Sequence, residues 1–226
     1  MEGESGTPNI GFPTIDGAVF VNQRDWFRNT SWDAEIENAF SKKLARARDK
    51  RQYLRIQAST LASRCPEVAL RLLDQYFALG EHFDIAQAHV DRATAYLRLN
   101  QPDSAILAYE AALAREASHP NLQTQAYLEL PFLVAKERLS QHFDRAIALL
   151  ETHKNRVTFP ADRFRWNCAF ALIRSEQGDR WAAQEAARRA LAASSEDHSG
   201  FRYHPEVGLM MRIDEPLRKR LTELAA

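Results

Sequence analysis

Net charge is the first thing this sequence lacks: 30 lysines and arginines are offset by 30 aspartates and glutamates across 226 residues. No overall field advertises nucleic acid or an anionic membrane, so any electrostatic function must come from local clusters. Cysteine is scarce as well. Cys65 and Cys168 stand far apart in no CxxC or Cys/His pattern, which excludes a disulfide framework and a zinc ribbon and leaves two small buried side chains. No run approaches the ~18 unbroken apolar residues of a membrane span. The opening MEGESG is acidic and polar, without a basic or apolar leader region, so a cytoplasmic chain with no secretory signal is expected.

Catalytic signatures are missing too. There is no phosphate-binding GxxxxGK[ST], no GxGxxG after a strand, no GxSxG elbow and no HExxH. The histidines at 82, 89, 119, 142, 153, 198 and 204 form no metal-ligand spacing beside a cysteine or a recurring carboxylate. The expectation is a binding protein and not an enzyme, with no cofactor and no metal.

What is present is helical punctuation. The 8 glycines and 9 prolines fall mostly between amphipathic runs, which directs attention to internal repeats. The clearest unit is ATAYLRLNQPDSAILAYEAAL, residues 93–113. Ala93 and Ala105 are small where two helices would cross closely, Tyr96 and Tyr109 fill the space beside them, and Asn100-Gln101-Pro102-Asp103 makes the turn. The same grammar recurs in PEVALRLLDQYF, HFDRAIALL and GDRWAAQEAARRAL. The aligned alanines Ala69, Ala105, Ala146 and Ala183 give steps of 36, 41 and 37 residues.

A period somewhat above about 34 is that of slightly lengthened tetratricopeptide units, and the chain resembles tetratricopeptide repeat (TPR) proteins over about residues 48–194. It is also similar to bacterial TPR proteins carrying WFRNxxW and SGFRYH segments. The resemblance implies an all-α, right-handed α-solenoid of about four helix hairpins with capping helices at both ends. Residues 1–30 form an extended, partly disordered arm in this reading, 31–194 the repeat domain, and 195–226 a C-terminal loop and capping helix.

The periodicity predicts helices at about 31–48, 50–63, 66–79, 84–99, 102–117, 121–140, 143–154, 161–177, 180–194 and 214–224. Ser31 is the expected N-cap of the first and Asp214 of the last. Pro131 should kink or break the 121–140 helix. In the arm, Phe12, Ile15, Val19, Phe20, Trp26 and Phe27 are too apolar for a free tail and should pack on the helices.

In TPR arrays the first helix of each hairpin lines an inner groove. That register nominates Arg51, Leu54, Gln87, Val90, Thr94, Leu97, Arg98, Arg138, Arg165 and Leu172. Aliphatic surface with a few arginines suits an acidic or amphipathic peptide. The asparagines and lysines with which some relatives grip acidic chaperone tails are absent, Val90, Thr94 and Ala169 standing there instead. A scaffold or adaptor binding a protein segment, with self-association as a further option, is the expected function. Alternatively the groove is covered by the chain's own arm or tail.

Two other features compete. SKKLARARDKRQYLR (41–55) sets Lys42, Lys43, Arg46 and Lys50, with Arg48, Arg51 and Arg55, against one acid, an alternative face for nucleic acid unless Asp33, Glu35 and Glu37 balance it. SGFRYHPEVGL (199–209) packs Phe201, Arg202, Tyr203 and His204 into a loop. They are either binding anchors, with an enzyme or small-molecule sensor site under the loop as a further alternative, or a loop pinned on a core edge.

Overall fold

The computed structural model describes residues 25–226. Among them are ten α-helices and no strand: α1 (Ala34–Arg46), α2 (Lys50–Leu61), α3 (Pro66–Ala78), α4 (Ile85–Arg98), α5 (Pro102–Ser118), α6 (Ala126–Lys136), α7 (Phe143–Thr152), α8 (Pro160–Glu176), α9 (Arg180–Ser194) and α10 (Glu215–Ala225). Consecutive helices pack on one another, most extensively α2 with α3, α4 with α5, and α8 with α9. The next-but-one pairs α2 with α4, α6 with α8 and α8 with α10 also touch.

Local chemistry sets the helix ends. Asp33, not Ser31, caps α1, its carboxylate accepting from the Ile36 N–H at 2.8 Å. Asp49 and Asp179 do the same for α2 and α9. Glu35 and Glu37 sit in the first turn of α1, and Lys43 and Arg46 in its last, so each charge opposes the nearer pole of the helix dipole. Asp214 precedes α10 without a side-chain capping bond, and Pro216 supplies a preset φ at the start.

Three hairpins close with the same turn. Asn100 and Arg138 (φ 56° and 55°) and Gly178 (φ 83°) are left-handed, and the following N–H bonds back five residues: Gln101 to Tyr96 O (2.9 Å), Leu139 to Val134 O (3.0 Å), Asp179 to Arg174 O (2.9 Å). This is the Schellman closure, which satisfies carbonyls left over at the helix end. The shared backbone device is the most concrete repeat in the molecule, although its sequence differs each time.

Two expectations are corrected. The 121–140 helix is shorter: residues 121–125 belong to the α5–α6 connection, and a 3₁₀ turn at Ser140–His142 follows. Pro131 does not break it, for α6 runs across the proline, which is itself buried.

The core has two parts. Phe40, Leu54, Leu61, Leu73 and Tyr76 fill the space among α1–α4, while a larger cluster runs from α4 through α10. Helix α4 serves both, turning Ala88 and Ala95 to the first and Ala93 to the second, all fully buried. Alanines let both neighbouring layers approach closely.

Phe12, Ile15, Val19 and Phe20 lie outside the described residues. Trp26 and Phe27 lie within, and they do pack: Trp26 sits 5.3 Å from Phe40 and 4.7 Å from Tyr53, and Phe27 4.9 Å from Tyr53. Behind them Asn29 locks onto fully buried Gln57.

Candidate functional site

The three next-but-one contacts α2–α4, α6–α8 and α8–α10 each carry an arginine–carboxylate pair. Between α2 and α4, Arg55 donates to Asp84 (3.0 Å) and Asp91 (3.2 Å). Between α6 and α8, Arg165 lies 3.5 Å from Glu129. Between α8 and α10, Arg220 reaches Glu176 at 2.6 Å. Burial raises the carboxyl pKa values of Asp91 and Glu129 above their ordinary range; hydrogen bonds from Gln87 and the charge of Arg55 pull Asp91 back, and the charge of Arg165 does so for Glu129.

This ladder changes the reading of the expected groove. Arg165 belongs to it. Arg138 occupies the α6–α7 turn, 3.5 Å from Glu176. Arg51 donates to Leu79 O (2.8 Å) and Arg98 to Ser63 O (3.0 Å). Leu54 and Leu172 are 2% and 0% exposed, so they are core residues and cannot line a groove. Val90 and Leu97 are half-buried against the larger core, and Thr94 bonds back to Val90 O. Of the ten nominated residues, Gln87 lines a shallow, open cleft.

That cleft, about 500 Å³, lies where the N-terminal ends of α4, α6 and α8 come together. Gln87, Gln123, Thr124, Gln125, Tyr127, Asn155, Arg156 and Thr158 line it. Its one cation is already engaged: Arg156 donates to Glu116 (3.0 Å) and Thr124 O (2.6 Å) and lies over the Tyr127 ring. Glu116, also buried, takes both the N–H and hydroxyl of Thr124. The electrostatics are closed internally, and the exposed chemistry is carboxamide and hydroxyl.

The 199–209 loop is pinned. Phe201 stacks on Phe159 with ring centres 5.5 Å apart, and Gly208 O accepts from the Ala161 N–H at 2.8 Å. At Gly208 φ is +71°, and a Cβ would fall 2.4 Å from the Phe159 ring, so only glycine fits both conditions. Ser199 closes the loop on itself, donating from its hydroxyl to His204 O and from its N–H to Pro205 O. Arg202 lies over Tyr203, and Phe201, Tyr203 and His204 remain exposed.

On the basic face, Lys42, Lys43, Arg46, Arg48 and Lys50 are all exposed, and none forms an ion pair with another described residue. Of the expected balancing acids, Asp33 and Glu37 are otherwise employed, and Glu35 pairs with none of these cations. Asp33 caps α1, while Glu37 meets Arg71 (3.3 Å) and the Trp32 indole N–H.

Sequence reasoning missed Gln123, Gln125 and Asn155, and also the exposed Phe83 and Trp181. Gln123 and Gln125 fell inside the expected 121–140 helix and Asn155 beyond the 143–154 helix, so periodicity gave no signal of a shared cleft. Their one visible trace is the clustering of Gln123 and Gln125 just before α6. Among the described residues no three His, Cys, Asp or Glu side chains are grouped to hold a metal ion, and no helix is long and apolar enough to cross a membrane.

No protein-family model matches the chain, and it has no significant match among curated proteins or solved structures.

Proposed function

We propose that this chain is a helical-repeat scaffold of the TPR type that holds a segment of another protein. The observation that carries the reading is the pairing of charge between helices: an arginine–carboxylate pair spans the α2–α4, α6–α8 and α8–α10 contacts, while a neutral cleft of about 500 Å³ stays open. Ion-pair ladders fix the spacing of a helix stack, and a cleft lined with groups that both donate and accept hydrogen bonds suits a polypeptide. The repeated Schellman turns and the α2–α4, α6–α8 and α8–α10 contacts support a solenoid of hairpins with α1 and α10 at its ends. Two free cysteines, one wholly buried, suit a reducing, cytoplasmic setting.

Selection of phage-displayed random linear dodecapeptides on the full chain tests the scaffold reading. Recurrent sequences that bind saturably, with Kd in the micromolar range or below, are expected. Absence of any enriched sequence contradicts it.

One observation favours a second reading. The five exposed cations Lys42, Lys43, Arg46, Arg48 and Lys50 have no acidic partner among the described residues, the arrangement that a phosphate backbone requires. Retention of short RNA or DNA at low salt, lost as salt rises, would support it; no retention at low salt removes it.

A further inference from the structure

Arginines elsewhere on this surface find acids: Arg71 meets Glu37, Arg92 meets Asp74, Arg115 meets Glu81 and Arg145 meets Glu110. Residues 42–50 break that habit. Lys42, Lys43, Arg46, Arg48 and Lys50 are exposed and pair with no described acid, while Asp49, the one acid among them, caps α2. The helix dipole accounts for Lys43 and Arg46, which occupy the last turn of α1. It does not account for Lys50, which opens α2 at the pole that repels a cation. Lys42 and Arg46, four residues apart on α1, repel each other as well. The folding of α1 and α2 does not require this concentration of like charge.

The cations adjoin an apolar slot. A shallow, open depression of about 230 Å³, room for one large side chain, lies between α1 and the segment that carries Trp26 and Asn29. Trp26, Ile36, Ala39 and Phe40 wall it, and Lys43 and Glu35 are its charged members. On a helix Ala39 neighbours Lys42 and Lys43, and each lysine neighbours Arg46, so slot and cations form one continuous face. Phe40 is the one fully buried residue of α1, and most of the helix stands clear of the stack.

Glu35 decides what fits. It stands eight residues before Lys43, about 12 Å along the helix. A nucleic-acid strand carries charge at every step, so one laid along this face would set phosphates against Glu35 and leave the slot empty. A polypeptide varies its charge along its length. It can place an apolar side chain in the slot and confine its carboxylates to the side of Lys43 and Arg46.

We infer that this face of α1 binds an acidic segment of another protein, with one apolar side chain in the slot and carboxylates against Lys42, Lys43 and Arg46. The inference rests on the scaffold reading and moves its contact from the inner groove to the first helix of the stack. Charge complementarity steers and selects the segment, and the side chain in the slot anchors it.

The probe is a glycine–serine dodecapeptide carrying one phenylalanine with four glutamates to one side of it, titrated calorimetrically into the full chain. Saturable binding is expected, weakening at least about tenfold between about 50 and about 300 mM salt. Companion peptides with glutamine for glutamate, or alanine for phenylalanine, should each bind at least about fivefold more weakly. Lys42→Gln/Lys43→Gln/Arg46→Gln should lose at least about tenfold in affinity, and Ala39→Gln, which fills the slot, should abolish the preference for phenylalanine over alanine. All four positions are exposed, so both variants should melt with the parent. The inference is overturned if the triple variant binds the acidic peptide within about twofold of the parent, or if the parent binds the phenylalanine and alanine peptides equally. Oligodeoxythymidylate bound more tightly than the peptide also overturns it and gives the face to a phosphate backbone. So does peptide binding that appears only in the Glu2→Gln/Glu4→Gln/Asp16→Asn chain, which gives the face to this chain's own first residues. Recurrent peptides selected on the chain would leave the scaffold reading standing in each case; failure of the probe together with absence of any enriched sequence removes both.

Discussion

Asn29 and Gln57, 28 residues apart, hold each other through three hydrogen bonds: the Asn29 N–H and side-chain amide donate to Gln57 Oε1 at 3.0 and 2.8 Å, and Gln57 Nε2 donates to Asn29 O at 2.8 Å. Gln57 is fully buried in α2, so its amide is satisfied through this one partner. The exchange seats Trp26 and Phe27 over Phe40 and Tyr53.

Gln57→Leu should therefore cost roughly 1–3 kcal/mol, since it leaves the Asn29 N–H and C=O without their partner, while the Asn29 side-chain amide keeps its bond to Trp26 O. Asn29→Ala should cost about 1 kcal/mol, because the Asn29 backbone bonds to Gln57 survive. Urea denaturation followed by circular dichroism measures both. A Gln57→Leu protein as stable as the parent would mean that the segment is not held by this exchange.

Arg138 is a non-glycine residue in the left-handed region at a turn where the α8–α9 hairpin uses Gly178. Arg138→Gly should stabilise the chain by roughly 0.5 kcal/mol: relief of about 1 kcal/mol of backbone strain, less the small worth of an exposed pair with Glu176. A rise in Tm checks it; a fall would show that the Glu176 contact outweighs the strain.

Leu54 and Leu172 separate the core from the groove. Truncation of either to alanine should cost about 2–5 kcal/mol, whereas Arg98→Glu on the exposed surface should change stability by no more than about 0.5 kcal/mol. The opposite ranking, by thermal denaturation, would return both leucines to a solvent-facing groove.

His89 packs against the Phe77 ring at 4.6 Å beside Arg92, and burial together with that guanidinium lowers its pKa from 6.5 to about 4. The unfolded chain then binds the proton first as pH falls, so the contribution of His89 to stability is present above about 6.5 and declines toward about 4. Asp91 and Glu129, with raised pKa values, act in the opposite sense at the acid end. The comparison is therefore between parent and His89→Gln: the variant should lose less stability on acidification through that window. Parallel pH profiles would show that the imidazole is not held neutral.

The helices were legible because alanines and aromatics recur with helical spacing, and Ala93, Ala105 and Tyr109 are buried where the pattern put them. What the pattern could not supply was direction. Leu54 and Arg51 lie on the same expected face of α2, yet one is core and the other spends its guanidinium on Leu79 O. Capping moved from Ser31 to Asp33 because the carboxylate two residues on reaches the Ile36 N–H. Pro131 was tolerated because a buried proline in a packed helix forfeits one bond and keeps its apolar contacts. The amide cleft was invisible because Gln123 and Gln125 were read into a longer α6, and Asn155 lies in a connection that no periodicity governs.

The most direct measurement of the central claim is calorimetric titration of the acidic, phenylalanine-bearing dodecapeptide into the parent and into the Lys42→Gln/Lys43→Gln/Arg46→Gln variant. A scaffold that grips an acidic segment on its α1 face should show saturable binding to the parent and at least about tenfold weaker binding to the variant, with both proteins melting together. Equal affinity for the two would contradict it.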